Sequence, residues 1–190
     1  MWSFTGGSDG ANPLTAGLIA DETGALYGTT NGGGSNNCPG GCGTVFKLTS
    51  PGDRETGWTL TTLWTFTGSD GGQPVGGLIA DETGALYGMT NVGGINNRVC
   101  GFFGCGVVFK LMPPARGQTA WTELGLWSFT GGSDGASPQG GPLIADERGA
   151  LYGTTSLGGN ITPTQEPCGI FGCGVVFKLT GAGFATEDDD

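Results

Sequence analysis

WSFTGGSDGASPQGGPLIADERGALYGTT, residues 127–155, decides how this chain is read, because the chain carries it three times. One copy begins at Trp2 (WSFTGGSDGANPLTAGLIADETGALYGTT, 2–30) and another at Trp64 (WTFTGSDGGQPVGGLIADETGALYGMT, 64–90). Each copy runs through a cysteine-bearing loop into a second shared string: CGTVFKL at 42–48, then CGVVFKL at 105–111 and again at 173–179. The copies start 62 and 63 residues apart, a period that marks a tandem-repeat architecture. The repeats run over about 2–63, 64–126 and 127–184 of one repeat domain (1–184), followed by an acidic tail at 185–190.

Between the glycines lie short runs of Val, Ile, Leu, Thr, Phe, Tyr and Trp, which is strand chemistry; helix signals are nearly absent. In the first repeat, strands are expected at 17–21 (GLIAD), 25–30 (ALYGTT), 43–49 (GTVFKLT) and 58–67 (WTLTTLWTFT). Asp21-Glu22-Thr23-Gly24 reads as the turn joining the first two. Strict alternation would put Trp58, Leu60, Thr62, Trp64 and Phe66 on one face, whereas the copy at 121–130 puts Glu123 and Gly125 there. That mismatch calls for a bulge or a solvent-exposed outer half.

Four short antiparallel strands per repeat predict an all-β, β-propeller-like fold of three four-stranded blades. A β-helix competes, but its rungs are shorter and need no DETG hairpin. Trp64 and Trp127 are expected to be buried between blades. The third repeat offers strands at 141–146, 150–155 and 174–180 and then lacks a tryptophan strand. The missing piece, WSFTGG, stands at the N-terminus, so the assembly strand Trp2-Ser3-Phe4-Thr5 is expected to complete the last blade. Three blades are too few for a comfortable ring, and two chains joined head to tail would supply six. A closed homodimer is preferred to an open filament because it leaves no exposed sheet edge.

Charge and cysteine content narrow the function classes. The net charge is −10, with 17 acidic and 7 basic residues, four of the acidic ones at 187–190. That tail is expected to be solvated, and so acidic a chain argues against nucleic acid or an anionic membrane as partner. Histidine is absent, which removes the commonest general base and metal ligand. No apolar run is long enough for a membrane span, and Met1 leads straight into the first repeat without a signal peptide, as in a mature form or a fragment. The six cysteines form three close pairs, Cys38/Cys42, Cys100/Cys105 and Cys168/Cys173. Disulfides within each repeat fit this placement better than two-ligand metal sites or free thiols, and they imply an oxidising, extracellular or cell-surface compartment.

The pattern G-x-L-Y-G-T-T, then G-G, then G-x-V-F-K-L occurs at Gly24–Thr30, Gly32–Gly33 and Gly43–Leu48 and recurs in both later repeats. It resembles the GloVer (Gloeobacter–Verrucomicrobia) repeat of choice-of-anchor proteins. The resemblance implies a secreted or surface-anchored bacterial repeat protein; it brings no catalytic residue, and the acidic end here differs from a sorting signal.

Several triplicated residues could carry chemistry. Asp9, Asp70 and Asp134, in S-D-G turns, could bind calcium or sugar hydroxyls, but no D-x-D-x-D spacing supports Ca²⁺ and turn formation is the simpler role. These turns are expected to be exposed. Asp21, Asp81 and Asp146 head hairpins and are expected to cap them. Tyr27, Tyr87 and Tyr152 are expected to pack, not to form sugar platforms, and Lys47, Lys110 and Lys178 to point outward on buried stems. Asn160-Ile161-Thr162 is a lone glycosylation match. Paired carboxylates for glycoside hydrolysis lack any readable separation. An enzyme keeps one unique constellation, whereas here every notable residue comes in triplicate. The expected function is therefore a non-enzymatic, cofactor-free extracellular repeat module with a structural, adhesive or self-assembling role; a multivalent, glycan-binding module is the alternative.

Overall fold

The shared strings become the strands. The computed structural model describes residues 2–13, 17–52, 57–96, 99–159, 168 and 171–186. The first repeat contributes β1 (Ile19–Ala20), β2 (Leu26–Thr30), β3 (Thr44–Thr49) and β4 (Thr59–Thr65). The second gives β5 (Gly72–Ala80), β6 (Leu86–Val92), β7 (Val107–Met112) and β8 (Thr122–Ser128). The third gives β9 (Ala136–Pro138), β10 (Ile144–Ala145), β11 (Leu151–Leu157) and β12 (Val175–Leu179). Among the described residues helical structure is confined to 3₁₀ turns, at Gly101–Phe103 and at Phe171.

Three four-stranded antiparallel sheets result. The first two are ordered β1-β2-β3-β4 and β5-β6-β7-β8. In the third, β9 and β10 lie along one edge of β11 and β12 lies along the other. β9 and β10 occupy the place of the single long β5, a strand whose first half (Gly72–Val75) lies outside the strands expected from the sequence. Among the described residues nothing occupies, beside β12, the outer position that β4 and β8 fill. The N-terminal segment does not complete this sheet within the chain. Trp2–Thr5 forms no strand, and the Phe4 ring packs 5.2 Å from Phe46 of the first sheet.

The hydrophobic core lies in two joints between consecutive sheets. A strand alternates its side chains, so the middle sheet feeds both. Leu86, Val107, Phe109 and Leu111 join Val45, Phe66 and Leu78 in the first cluster. Tyr87, Met89 and Val108 join Phe129, Leu143 and Leu151 in the second. A lone sheet could bury only one such face; stacking buries both. The phenylalanine after each tryptophan bridges a joint: Phe66 stands edge-on to Phe109 at 5.1 Å, and Phe129 to Phe177 at 5.2 Å. Room for the VFKL phenylalanine comes from the glycine of LYG. A Cβ on Gly88 would lie 2.6 Å from the Phe109 ring, and one on Gly153 would lie 2.5 Å from Phe177.

Trp64 packs against the first cluster but is not fully buried in its joint as expected, and Trp127 is not buried in the second. Trp64 is half-buried and Trp127 is 45% exposed, while Phe66 and Phe129 are buried. The cause is a bulge in each fourth strand. Thr62 pairs with Phe46 and Trp64 with Val45, leaving Leu63 as the extra residue; Leu126 is passed over in the same way between Gly125 and Trp127. The extra residue shifts the alternation, turning Leu63 into the core and the indoles toward the rim.

Candidate functional site

Antiparallel register sets Tyr27 opposite Lys47, Tyr87 opposite Lys110 and Tyr152 opposite Lys178. The hairpin aspartate completes each group. Asp21 Oδ1 accepts bonds from the Thr23 amide (2.9 Å), the Thr23 hydroxyl (2.6 Å) and the Ala25 amide (3.0 Å). Its Oδ2 takes the Tyr27 hydroxyl at 2.9 Å and the Lys47 ammonium at 3.3 Å. Asp81 repeats this with Thr83, Ala85, Tyr87 at 2.8 Å and Lys110 at 3.9 Å. Asp146 does so with the Arg148 and Ala150 amides, Tyr152 at 2.8 Å and Lys178 at 3.5 Å. Each ammonium also lies 5.0–5.1 Å from the centroid of its tyrosine ring.

The aspartates thus do cap their turns, and the lysines do not simply point outward. Taken singly in the sequence, Asp, Tyr and Lys give no sign that they converge. Pairing the LYG and VFKL strings in register was the signal that would have found it.

These contacts fix the charge states. The Thr23 hydroxyl holds the Asp21 carboxyl well below the ordinary carboxylate range, against the opposing effect of desolvation. The Ala150 amide and the Tyr152 hydroxyl bring Asp146 down to about 2. At Asp81 burial pushes upward, but the donors from Thr83, Tyr87 and Ala85 outweigh it and the carboxyl is still lowered. Burial, aided by Asp81, raises the Tyr87 hydroxyl above its usual value. Each aspartate is therefore a carboxylate at neutral pH, and with the tyrosine hydroxyl and lysine nitrogen beside it the group is suited to gripping backbone amides by hydrogen bonds. One face of each tyrosine ring is taken by lysine.

The middle group is covered by the chain's own end. Gly183 carbonyl oxygen accepts from the Lys110 ammonium at 2.7 Å and lies 2.7 Å from the Tyr87 hydroxyl. Tyr87 has one proton to share between this oxygen and Asp81. The Ala185 amide approaches Asp81 Oδ2 at 3.4 Å, and the Phe184 ring sits 5.0 Å from that of Tyr87. The Asp81 side chain is consequently fully buried, whereas those of Asp21 and Asp146 are about a third exposed.

The S-D-G aspartates are brought to none of these groups. Asp9 accepts from the Thr5 amide and hydroxyl, Asp70 from those of Thr67, and Asp134 from those of Thr130. Asp70 and Asp134 also accept the indole N–H of Trp64 (3.0 Å) and Trp127 (3.3 Å). All three are half-buried, more enclosed than the exposed turns expected, because the tryptophan rim folds onto them. Among the described residues no group of three or more His, Cys, Asp or Glu side chains could hold a metal ion.

Disulfides join Cys38 to Cys42, Cys100 to Cys105 and Cys168 to Cys173, with Cα separations of 4.9, 4.9 and 5.1 Å. Cys38, Cys42 and Cys105 also pack into the joints, a role that loop length alone did not suggest. Asn160-Ile161-Thr162 and the acidic residues 187–190 lie outside the described residues.

Triplicated sheets, triplicated bridges and triplicated Asp–Tyr–Lys groups define an all-β tandem-repeat protein. The chain belongs to the Gloeobacter/Verrucomicrobia repeat family, whose pattern matches residues 1–187. Comparison with curated proteins found no match. Among the described residues no helix is long and apolar enough to cross a membrane.

Proposed function

We propose that this chain is a non-enzymatic, extracellular structural module that assembles with itself, its sheets serving as propeller blades joined head to tail. The observation that carries this reading is Val176. Its equivalents Val45 and Val108 are 0% exposed and pair across the strands with Trp64 and Trp127, whereas Val176 on β12 is 77% exposed. By the register of the two internal joints, Trp2 of another copy would lie opposite Val176, and the Phe4 amide would reach the Gly174 carbonyl as those of Phe66 and Phe129 reach Gly43 and Gly106. Phe4 already sits on Phe46 as Phe66 sits on Phe109, so the segment would not need to move.

A second feature supports the same joint. Gln73 and Ser137 hold left-handed φ values of 52° and 49°, and each donates its amide to a cysteine carbonyl of the preceding repeat, Cys42 and Cys105. Asn12 holds the same conformation, φ 55°, and the matching acceptor would be Cys173 of another copy. Such strain in a non-glycine residue persists where surrounding contacts fix it. Two chains would complete six blades; the same contact left unclosed would give a filament. The three disulfides fit export to an oxidising compartment.

Native mass in solution tests the reading. The chain should run as two copies, and Val176→Lys or removal of residues 2–5 should yield single chains. A single-chain mass for the unaltered protein at all concentrations would refute it.

A further inference from the structure

The Asp–Tyr–Lys groups differ in what covers them, although their sequences are nearly the same. In the middle one, Gly183 and Ala185 present a carbonyl and an amide on either side of Phe184, and Lys110, Tyr87 and Asp81 take them. The neighbouring sheet supplies the remaining wall. The Phe184 carbonyl lies so close to Gly149, in the turn of the third repeat, that a Cβ there would sit 2.5 Å from it. Gly149 has φ +70°, so glycine is favoured both by conformation and by the passing strand. This is backbone recognition of an extended segment, with one aromatic ring stacked beside the tyrosine.

The joint before it contains the same parts. Asp21, Tyr27 and Lys47 stand where Asp81, Tyr87 and Lys110 stand, and Gly84 (φ +77°) takes the place of Gly149. Here the cleft is open: a Cβ on Gly84 would meet nothing within 4 Å, and a cavity of about 310 Å³ lies between Asp21, Tyr27 and Asp81. We propose that this cleft between the first and second sheets is a receptor for an extended segment of a partner protein, of the form small residue–aromatic–small residue. The Lys47 ammonium and Tyr27 hydroxyl would take the carbonyl before the aromatic residue, and Asp21 the amide after it. Gly84 leaves the backbone free to pass, and the Tyr27 ring receives the aromatic side chain. The small flanking residues are required because the strand lies flat against the turn. Among the described residues no further turn stands beside the third group, so the first cleft is the complete one. This proposal does not depend on the assembly reading.

The test is a titration with the peptide acetyl-Gly-Ala-Gly-Phe-Ala-Thr-amide, followed by NMR of the backbone amides. The full chain should bind one peptide, shifting Tyr27 and Gly84. A chain ending at Thr180 should bind two, the second shifting Tyr87 and Gly149. Lys47→Met or Tyr27→Phe in the full chain should weaken the first site about tenfold, the factor expected for one lost hydrogen bond to a charged or phenolic donor. A peptide with Ala in place of Phe should bind more weakly still. Absence of shifts at Tyr27 and Gly84 in the full chain, or shifts insensitive to both substitutions, would overturn the proposal. Self-association that requires both residues 181–186 and Tyr27 would assign the cleft to a second copy and overturn the choice of a partner protein.

Discussion

Removing the Phe66 ring should be among the most damaging single changes to this protein, and the repeats supply its controls. Phe66 is 0% exposed and stands edge-on to Phe109, also 0% exposed, in the middle of the first joint. Truncating a buried phenylalanine costs about 3–5 kcal/mol through lost transfer energy and the remaining cavity. The edge-to-face pair adds about 0.5–1.5 kcal/mol, which a cycle with Phe109→Leu would isolate. Phe129 is as buried, but its partner Phe177 is only half-buried, so its cavity is partly open and Phe129→Ala should cost about 2–4 kcal/mol. Phe4 is itself half-buried, and Phe4→Ala should cost about 1–2 kcal/mol. The three variants should be compared by urea unfolding under non-reducing conditions, read by tryptophan fluorescence, in the Val176→Lys background to keep assembly out of the measurement. The expected order of loss is Phe66, Phe129, Phe4. A Phe4 variant as destabilised as the Phe66 variant would refute the account of the joints as the seat of stability.

Gly88→Ala should cost about 2–3 kcal/mol by overpacking, since the new methyl would lie 2.6 Å from the Phe109 ring, whereas Gly24→Ala, which meets no neighbour, should cost only its strained φ, about 1 kcal/mol, on the same unfolding assay. Asp70→Ala removes an acceptor shared by the Thr67 amide, the Thr67 hydroxyl and the Trp64 indole and should cost about 1–2 kcal/mol, with a shift in Trp64 emission. Burial and the charge of Asp70 push Glu123 up to about 7 from 4.5, so its contribution is full below pH 4.5 and is lost as pH rises through 7. Glu123→Gln should match the unaltered protein at pH 4 and exceed its stability at pH 8 by about 1–2 kcal/mol, a figure reduced for the carboxyl's partial exposure. Because Cys38 and Cys42 pack in the first joint, replacing both by Ser should lower the urea midpoint more than replacing both by Ala.

What the sequence made legible was whatever local chemistry and repetition determine. Strand identity, the DETG hairpin and the cysteine pairing rest on neighbours within a few residues, and they stand in the structure. The alternation across Trp58–Phe66 did not survive, because a bulge is decided by the partner strand, and nothing in TLTTLWTF marks Leu63 as the extra residue. Residues 72–75 were hidden for a similar reason. Gly-Gln-Pro-Val has the composition of a turn, and it extends only because β6 offers its edge. The Asp–Tyr–Lys groups lay between these cases, since each part was visible but only cross-strand register brings Tyr27 opposite Lys47.

Nearly identical repeats in unlike positions separate what a sequence specifies from what its surroundings add. Val45, Val108 and Val176 occupy one position in the repeat, yet two are sealed and one faces solvent, so exposure here belongs to the place in the array and not to the residue. The same holds for Asp21, Asp81 and Asp146, whose bonds to their own turns are alike while only Asp81 is buried. Burial at Asp81 comes from the segment after β12, whose Gly183, Phe184 and Ala185 lie against the second sheet. A repeat protein can thus close one of its sites with a segment of its own chain while the same set of side chains stays open one joint away. Tyr27 and Tyr87 measure that difference directly: the second hydroxyl has the Gly183 carbonyl within reach, and the first has the cleft beside Gly84.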